Sequence, residues 1–267
     1  MSEPLLSVRD CSFSYADGGF HLAGVSLDVR AGEVLGIIGP NGSGKSTLLR
    51  LMSGALRPTG GKVLLEGASL RALSRRRLAR RLAFLPQDPQ TTFRFRVRQV
   101  VAMGRYPHQG VFGFITDEDV RVIELAMQHT ETAGLAGRVF STLSGGEKQR
   151  ALVAGILAQE PAVMLLDEPT ASLDIHHQGE VMDLLWRLSR QGIAVALVTH
   201  DLNAASQFCD RLALLSAGRL VRLGGPGEVI EEGLLSQTYG EEVRVVPNPI
   251  TSNPLVLVLG RAAHDTE

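Results

Sequence analysis

The sequence predicts an α/β protein built around a parallel sheet. Two continuous apolar runs, at residues 34–38 and 163–166, are typical of strands that are buried on both faces. A glycine-rich loop follows the first run and leads directly into a segment of helical periodicity. Because strands and helices alternate along the chain in this way, we expect helical connections between neighbouring parallel strands.

The composition excludes several other classes of protein. The 267 residues are 44% hydrophobic and carry 27 basic and 28 acidic side chains, for a net charge of −1. Such a chain is neither disordered nor fibrous, and it lacks the positive excess of a protein that coats nucleic acid, so we expect no nucleic-acid partner. The apolar runs are too short to span a bilayer, and the first residues lack the pattern of a signal peptide. Cys11 and Cys209 have no neighbouring cysteine or histidine cluster, which predicts reduced thiols.

The first elements are two strands, a buried strand and a helix. Residues 6–9 and 25–29 alternate in the manner of half-buried strands, and residues 17–19 predict the turn between them. After the first buried strand and its glycine-rich loop, a helical pattern passes through residues 48–52 and ends near Gly54.

The rest of the chain places a helical block between strands. Residues 95–160 are mostly helical in pattern, with Thr116 as a candidate N-cap. Buried strands at 163–166 and 194–198 flank a further helix. After Val243 the sequence is rich in proline and β-branched residues, which predicts a short β appendage.

The glycine-rich loop has the G-x-x-x-x-G-K-S pattern of a phosphate-binding loop, in the strand–loop–helix context that such a loop requires. Glycines allow backbone N–H groups to turn toward phosphate oxygens, and the following helix adds its positive dipole end. Lys45 is expected to reach the β and γ phosphates, and Ser46 to bind Mg²⁺. The candidate ATP-binding residues of this segment, called the phosphate loop below, are Gly39, Pro40, Asn41, Gly42, Ser43, Gly44, Lys45, Ser46 and Thr47.

The use of lysine supports the role of Lys45. Of the 27 basic residues only Lys45, Lys62 and Lys148 are lysines, and the others are arginines. A compact ammonium group fits between phosphate oxygens in a tight backbone cradle, whereas a planar guanidinium has the wrong shape. We therefore expect arginine to be tolerated at position 62 but not at position 45.

Two carboxylates, Asp167 and Glu168, follow the buried strand at 163–166. In open α/β sheets ligands gather at the carboxyl ends of strands. Asp167 is expected to hold Mg²⁺ directly or through water, and Glu168 to orient and deprotonate an attacking water. The alternative, an acidic turn after a core strand, is disfavoured beside a phosphate loop.

Ser144, Gly145, Gly146 and Glu147, called the signature turn below, form a Ser-x-x-Glu capping box ahead of a helical pattern. Capping alone would explain the start of a helix at this point. The two glycines also expose helix N–H groups to an anion. The complete run Leu-Ser-Gly-Gly-Glu-Lys-Gln-Arg is more particular than capping requires.

With these motifs the chain resembles the nucleotide-binding subunits of ABC transporters, whose signature is the Leu-Ser-Gly-Gly-Glu run. Further motifs resemble those of the family and occur in the same order along the chain, so the resemblance covers nearly the whole sequence. Gln87 resembles the Q-loop glutamine, which contacts Mg²⁺ or the attacking water, and Ser172-Leu173-Asp174 resembles the D-loop at the partner subunit. His200 resembles the switch histidine on the γ-phosphate. Tyr15 lies where the family has an aromatic ring on adenine, although it could be an ordinary strand aromatic.

The resemblance implies one ABC ATPase domain over residues 1–267. A P-loop NTPase core with a parallel sheet and an N-terminal antiparallel β subdomain would occupy residues 1–94 and 161–242. A helical subdomain would occupy residues 95–160 and a short β tail residues 243–267.

The resemblance also implies cofactors and partners. ATP and Mg²⁺ would bind, with Ser46, Gln87 and Asp167 at the metal and with Glu168, His200 and Gln87 as catalytic residues. Two copies would pair head to tail, so that the signature turn of one copy meets the ATP of the other. A membrane permease would be a further partner and a substrate-binding protein an indirect one, at the cytoplasmic face of the cell membrane.

The sequence narrows the kind of transporter. A single phosphate loop and a single signature turn exclude tandem ABC proteins, and the short stretch between Lys45 and Ser144 excludes a long coiled coil. Residues 100–108, 199–203 and 227–256 resemble importers of iron–siderophore complexes, haem and vitamin B12. We therefore expect an ATPase that drives import of a metal chelate. Import of another cargo such as molybdate, or regulation without transport, is the alternative.

Three histidines and two groups of arginines lie outside these motifs. We predict structural or surface roles for His108, His176 and His177, because adjacent residues of a helix do not face the same way. The arginines within residues 71–81 predict a solvated helix face, with attraction to anionic lipids as the alternative. Those within residues 94–98 follow Gln87, where the family contacts its permease, and a role in that contact is a hypothesis.

Overall fold

The structure is a computed structural model that describes residues 3–16, 19–87, 94–110, 113–171, 173–240 and 243–258. Within these ranges the strands are β1 (Pro4–Ser14), β2 (His21–Arg30), β3 (Val34–Ile38), β4 (Gly60–Leu65), β5 (Ala68–Ser69), β6 (Leu82–Leu85), β7 (Val163–Asp167), β8 (Ala194–Val198), β9 (Arg211–Ser216), β10 (Arg219–Gly224), β11 (Val243–Pro247) and β12 (Pro254–Val258). The α-helices are α1 (Lys45–Met52), α2 (Arg75–Arg81), α3 (Val97–Ala102), α4 (Asp117–His129), α5 (Gly145–Leu157), α6 (Ile175–Arg190), α7 (Leu202–Phe208), α8 (Pro226–Val229) and α9 (Glu232–Tyr239).

The central sheet has the strand order β10-β9-β3-β8-β7-β6. Strands β9, β3, β8, β7 and β6 are parallel, and β10 pairs antiparallel with β9. Every residue of β3, β7 and β8 is buried, which confirms the interpretation of the continuous apolar runs. Because these strands are parallel, their carboxyl ends meet at one edge of the sheet, called the carboxyl edge below.

A second, antiparallel sheet has the order β2-β1-β4-β5 and contains the two strands predicted near the N-terminus. Its inner face shares a core with α1 and one face of the central sheet, through residues such as Leu6, Leu48 and Leu165. Burying apolar surface stabilises a fold by about 25 cal/mol per Å², and this free energy accounts for the docking of α1 between the sheets. Of the predicted turn at 17–19, residues 17 and 18 lie outside the described residues.

Helices α3, α4 and α5 form a helical layer within the block predicted to be helical, and they enclose a core of their own. Thr116 caps α4 as predicted, because its hydroxyl accepts a hydrogen bond from the Asp119 N–H at 3.2 Å. A buried ion pair connects the segment after α3 to α4: Arg105 Nε donates to Asp119 Oδ1 at 2.8 Å. Arg105 Nη1 also donates to the Ala158 carbonyl at the end of α5, at 2.8 Å.

The β11–β12 hairpin confirms the β appendage and lies against α7. Asn203 Nδ2 donates to the Val256 carbonyl at 3.2 Å, and Ser206 Oγ donates to the Pro254 carbonyl at 2.6 Å. Cys11 and Cys209 are buried free thiols, as expected, and burial raises the pKa of both. No helix of the described ranges combines the length and apolarity needed to cross a membrane. The domain boundaries given above stay a prediction.

Candidate nucleotide site

The phosphate loop leads from the end of β3 into α1, with Gly39, Gly42 and Gly44 at φ values of 145°, 77° and 102°. A side chain would also lack space at two of these positions. A Cβ at Gly39 would lie 2.1 Å from the Leu215 carbonyl oxygen, and one at Gly44 would lie 2.5 Å from Phe20 Cζ. The tight cradle expected for phosphate is therefore formed by the backbone itself.

Lys45 begins α1 and is 7% exposed. Its Nζ donates to the carbonyls of Gly39 at 2.8 Å and Pro40 at 2.9 Å, so the ammonium group lies across the loop. Burial lowers the pKa of Lys45, and the carboxylates of Glu168 and Asp167 oppose this shift. The lysine thus brings a positive charge into a buried backbone cradle.

The residues of the loop fit an anionic phosphate ligand. The loop borders a cavity of about 340 Å³ that also includes Phe20 and Glu168. Ser43 is 2% exposed, and its hydroxyl has no hydrogen-bond partner among the described residues. A buried polar group without a partner costs about 1–3 kcal/mol, which a ligand in the loop could offset.

Asp167 ends β7, and it accepts a hydrogen bond from Ser46 Oγ at 3.0 Å. Burial raises the pKa of Asp167, and the hydrogen bond from Ser46 opposes this shift. A carboxylate beside a hydroxyl, next to the loop, is the hard oxygen donor set that Mg²⁺ prefers. The two side chains therefore fit the predicted metal, while Gln87 contacts Glu168.

Three predicted catalytic residues meet at the carboxyl edge. Gln87 follows β6, Glu168 follows β7 and His200 follows β8. Gln87 Nε2 donates to Glu168 Oε2 at 2.8 Å, and His200 Nδ1 lies 3.6 Å from the same oxygen. Glu168 adopts a φ of 50°, held by its N–H donating to the Val198 carbonyl at 3.1 Å. A left-handed conformation is costly for a residue with a side chain, and such strain clusters at functional sites.

Two aromatic residues lie beside the phosphate loop. The Tyr15 hydroxyl lies 3.3 Å from Thr47 Oγ1, and the Tyr15 ring packs edge-on against Phe13. Phe20 closes over Gly44, and its ring centre is 6.5 Å from that of Tyr15. Sequence reasoning missed Phe20. Its signal is an aromatic residue directly after the predicted glycine turn.

The signature turn is a reciprocal capping box at the start of α5. The Glu147 N–H donates to Ser144 Oγ at 3.3 Å, and the Ser144 N–H donates to Glu147 Oε2 at 2.9 Å. The hydrogen bond from the Ser144 N–H, with smaller help from Arg138 and Arg150, lowers the pKa of Glu147. Ser144 and Gly145 are exposed. The turn is thus complete as a cap and accessible to a ligand.

The signature turn also meets the D-loop segment within the same chain. Asp174 caps α6 by accepting a hydrogen bond from the His177 N–H at 2.9 Å. The His177 ring covers Gly146, where an added Cβ would lie 2.6 Å from Cγ of the ring. The predicted residues therefore form two groups, one around the phosphate loop and one around the signature turn. Ser172 lies outside the described residues.

The expectation that His176 and His177 face different ways is wrong. Both imidazoles reach the same carboxylate of Glu180, because residues three and four positions apart are neighbours on a helix. His108 has the structural role that was predicted, since its Nε2 lies 2.9 Å from the Gln159 carbonyl oxygen.

None of the arginines of α2 is buried, as predicted for a solvated helix face, and two of them also bind the backbone of this chain. Arg76 and Arg80 are exposed, yet the Nε of each donates to the Pro107 carbonyl at 2.9 Å. Arg96 and Arg98 likewise bind groups of this chain, at the Gly137 carbonyl and the Glu124 carboxylate. These contacts were missed because the partners are distant in sequence.

Comparison with known proteins identifies the family. The ABC transporter family model matches residues 22–171. The hemin import ATP-binding protein HmuV of Streptomyces coelicolor is 47% identical over 88% of this chain and 84% of its own length. The ferric enterobactin transport ATP-binding protein FepC of Escherichia coli is 40% identical over 100% of this chain and 99% of its own length.

Solved structures agree with this assignment. A chain from an ABC transporter assigned to the metal-chelate type, in an inward-facing conformation, has a TM-score of 0.86 and 28% identity, covering 98% of this chain and 100% of that one. The dimeric cassette MJ0796 has a TM-score of 0.72 and 27% identity, covering 82% of this chain and 98% of that one. The chain belongs to the ABC transporter family, as an ATP-binding subunit with ATPase activity.

Proposed function

We propose that this subunit hydrolyses ATP to power import of a metal chelate through a separate membrane permease. The observation that carries the catalytic part is the meeting of Gln87 and His200 on one oxygen of Glu168, beside the phosphate loop. The cargo class is supported by relatives that serve hemin, ferric enterobactin and cobalamin import. The cargo itself would be an iron–siderophore complex, haem or cobalamin.

ATP would bind along the phosphate loop, with its triphosphate against backbone N–H groups and the Lys45 ammonium. Tyr15 and Phe20 lie on the side of the loop where an adenine ring could stack. The Ser46 hydroxyl and the Asp167 carboxylate would hold Mg²⁺, with Gln87 nearby. When bound, this ion would supply charge neutralisation at the β and γ phosphates.

Glu168 is the proposed general base. Its Oε2 would accept a proton from the attacking water. The Gln87 amide and the His200 ring would orient the Glu168 carboxylate and that water. A correctly placed base contributes roughly 10²–10⁴-fold to a rate. The strained backbone at Glu168 fixes its carboxylate at the carboxyl edge, so that little reorganisation is needed.

The signature turn would complete the site of a second copy. Its exposed Ser144 and Gly145 at the N-terminus of α5 suit contact with a γ-phosphate. Each ATP would then lie between the phosphate loop of one copy and the signature turn of the other, as in a head-to-tail dimer. ATP binding would draw the copies together and hydrolysis would release them, at the cytoplasmic face of the membrane where the permease meets the subunit.

The decisive experiment is reconstitution of the full chain with its membrane permease and substrate-binding protein in proteoliposomes. We expect ATPase activity and uptake to rise with one metal chelate from a panel of ferric siderophores, haem and cobalamin. The Glu168→Gln variant, reconstituted in parallel, should lose both signals. Stimulation by molybdate alone would contradict a metal-chelate cargo and favour an importer of another cargo. ATPase activity without a response to any cargo would favour a regulatory ATPase.

A further inference from the structure

The first turn of α6 brings three metal-ligating side chains together. His177 Nδ1 lies 2.9 Å from Glu180 Oε2, and His176 Nε2 lies 3.4 Å from Glu180 Oε1. One ligand atom from each residue lies within 4.8 Å of the others, and no other such trio occurs among the described residues. We propose that His176, His177 and Glu180 bind a divalent transition-metal ion of the Zn²⁺ class, at a site separate from the nucleotide.

The donor set selects the class of ion. Two imidazole nitrogens and one carboxylate oxygen suit Zn²⁺ and its neighbours, whereas Mg²⁺ and Ca²⁺ prefer oxygen ligands alone. Zn–N bonds are about 2.0–2.1 Å long, which places tetrahedral donors roughly 3.3 Å from one another. The His177–Glu180 pair already lies within that distance, and the donor pairs that are up to 4.8 Å apart would have to move closer together. His176, with a side chain 79% exposed, is free to rotate toward the other two. Three protein ligands would leave a fourth position for water.

Helix α5 orients the carboxylate of this site. Arg150 Nη1 contacts Glu180 Oε2 at 2.5 Å, and the other oxygen, Oε1, faces His176. The Arg150 guanidinium opposes a nearby cation, which keeps the proposed affinity below that of a closed structural zinc site. The same contact fixes the carboxylate rotamer, as groups around a metal site commonly do.

His177 is held in place from two further sides. Its ring covers Gly146 of the signature turn, and its Nε2 lies 3.9 Å from Oδ2 of Asp174. An ion on Nδ1 would leave Nε2 as the protonated nitrogen, directed toward the Asp174 carboxylate. The proposed site therefore lies between Asp174, which caps α6, and the signature turn, and neither of these supplies a ligand.

The test is titration of the untagged full chain with Zn²⁺ in a chelator-buffered solution, followed by calorimetry and repeated with Co²⁺ by absorption. We expect one ion per chain and absorption bands of a tetrahedral site. His176→Ala should weaken binding at least about tenfold, as loss of a ligand does. The matched control is His21→Ala, an exposed histidine in β2 that contacts Ser14, which should bind as the wild type does.

Basal ATPase activity should be unchanged in His176→Ala, because this side chain is 79% exposed and its contacts are with Glu180 and the His177 ring, outside the nucleotide site. Equal Zn²⁺ affinity in His176→Ala and the wild type would overturn the proposal, as would the absence of binding. Weaker binding in Glu168→Gln than in His176→Ala would assign the ion to the nucleotide site and also overturn it. Since the measurement needs neither ATP nor a permease, its failure is distinct from failure of the proposed transport function.

Discussion

The phosphate loop and the signature turn are both glycine-containing turns that start a helix, yet they treat the helix N-terminus in opposite ways. Gly44 precedes α1 without a side-chain cap, so the N–H groups of that turn stay available to a ligand. Ser144 and Glu147 cap α5 reciprocally. The phosphate loop borders a cavity within its own chain, whereas the signature turn is exposed and its cap is already complete. This difference is consistent with the proposal that the phosphate loop is a ligand cradle and the signature turn a half-site for a second copy.

The largest expected effect tests the cradle as a reaction site. In Glu168→Gln the amide cannot accept the proton of water, so we expect steady-state ATPase activity to fall by roughly 10²–10⁴-fold with ATP binding retained. With ATP, the variant should accumulate as a dimer, measured by light scattering.

The signature turn provides the control for that dimer. Adding Ser144→Arg to Glu168→Gln should remove the dimer but leave ATP binding to the single copy, because the changed side chain is exposed and outside the cradle. ATP hydrolysis by Glu168→Gln at the wild-type rate would refute the base assignment. A dimer that still forms with Ser144→Arg would contradict the proposal that the signature turn is the half-site for the second copy.

The next effect tests whether the cradle needs an ammonium group. Lys45→Arg places a planar guanidinium in a site that is 7% exposed and closed by two carbonyls, so we expect roughly a hundredfold loss of ATPase activity. Lys62→Arg, in the exposed part of β4, is the matched control and should be silent. Full activity of Lys45→Arg would contradict the steric argument.

The helical layer that carries the signature turn should respond to acid. Burial would raise the pKa of Asp119, but hydrogen bonds from Thr116 and Arg105 hold the pKa at about 2. A lowered pKa stabilises the fold above the unfolded value of about 3.9, and this stability is lost as pH falls toward 2. We expect a loss of about 2 kcal/mol in unfolding free energy over that window.

Urea unfolding at several pH values, with hydrogen exchange to locate the change, would measure this dependence. The amides of α4 and α5 should lose protection before those of β3 and β7, because the ion pair lies in the helical layer. Asp119→Asn should flatten the dependence between about pH 4 and pH 2 while lowering stability at neutral pH, since it removes the partner of Arg105. An unchanged pH profile would show that the pair contributes little.

The smallest expected effect compares two helix glycines near the signature turn. Gly146→Ala would place a methyl group 2.6 Å from the His177 ring, and such overpacking costs about 1–3 kcal/mol. A Cβ at Gly179 in α6 would meet no atom within 4 Å, so Gly179→Ala should stabilise the fold by up to about 1 kcal/mol. Chemical unfolding of both variants checks the opposite signs. Equal effects would mean that His177 moves aside freely.

Much of the fold and site could be predicted because the relevant signals are local. Continuous apolar runs identify β3, β7 and β8, and the spacing within the phosphate loop identifies the cradle. A Ser-x-x-Glu box predicts the start of α5 for the same reason, since its partners lie three residues apart.

Other features could not be predicted from local signals. The rotamers of His176 and His177 depend on Glu180, which itself depends on Arg150 from another helix. Phe20 reaches the phosphate loop only because the two sheets pack around α1. Arg76 and Arg80 find a carbonyl 31 and 27 residues away, respectively.

The sequence by itself therefore determined the chemistry of this protein: a lysine in a glycine loop, two carboxylates after a core strand and a self-capped serine turn. These depend on residue type and short spacing, which fix backbone conformation and donor groups. The tertiary structure alone decided that Gln87 and His200 share one oxygen of Glu168, and that His177 covers the signature turn. The physical reason is that parallel strands distant in sequence end at one edge, and side-chain orientation follows from the packing of neighbouring helices.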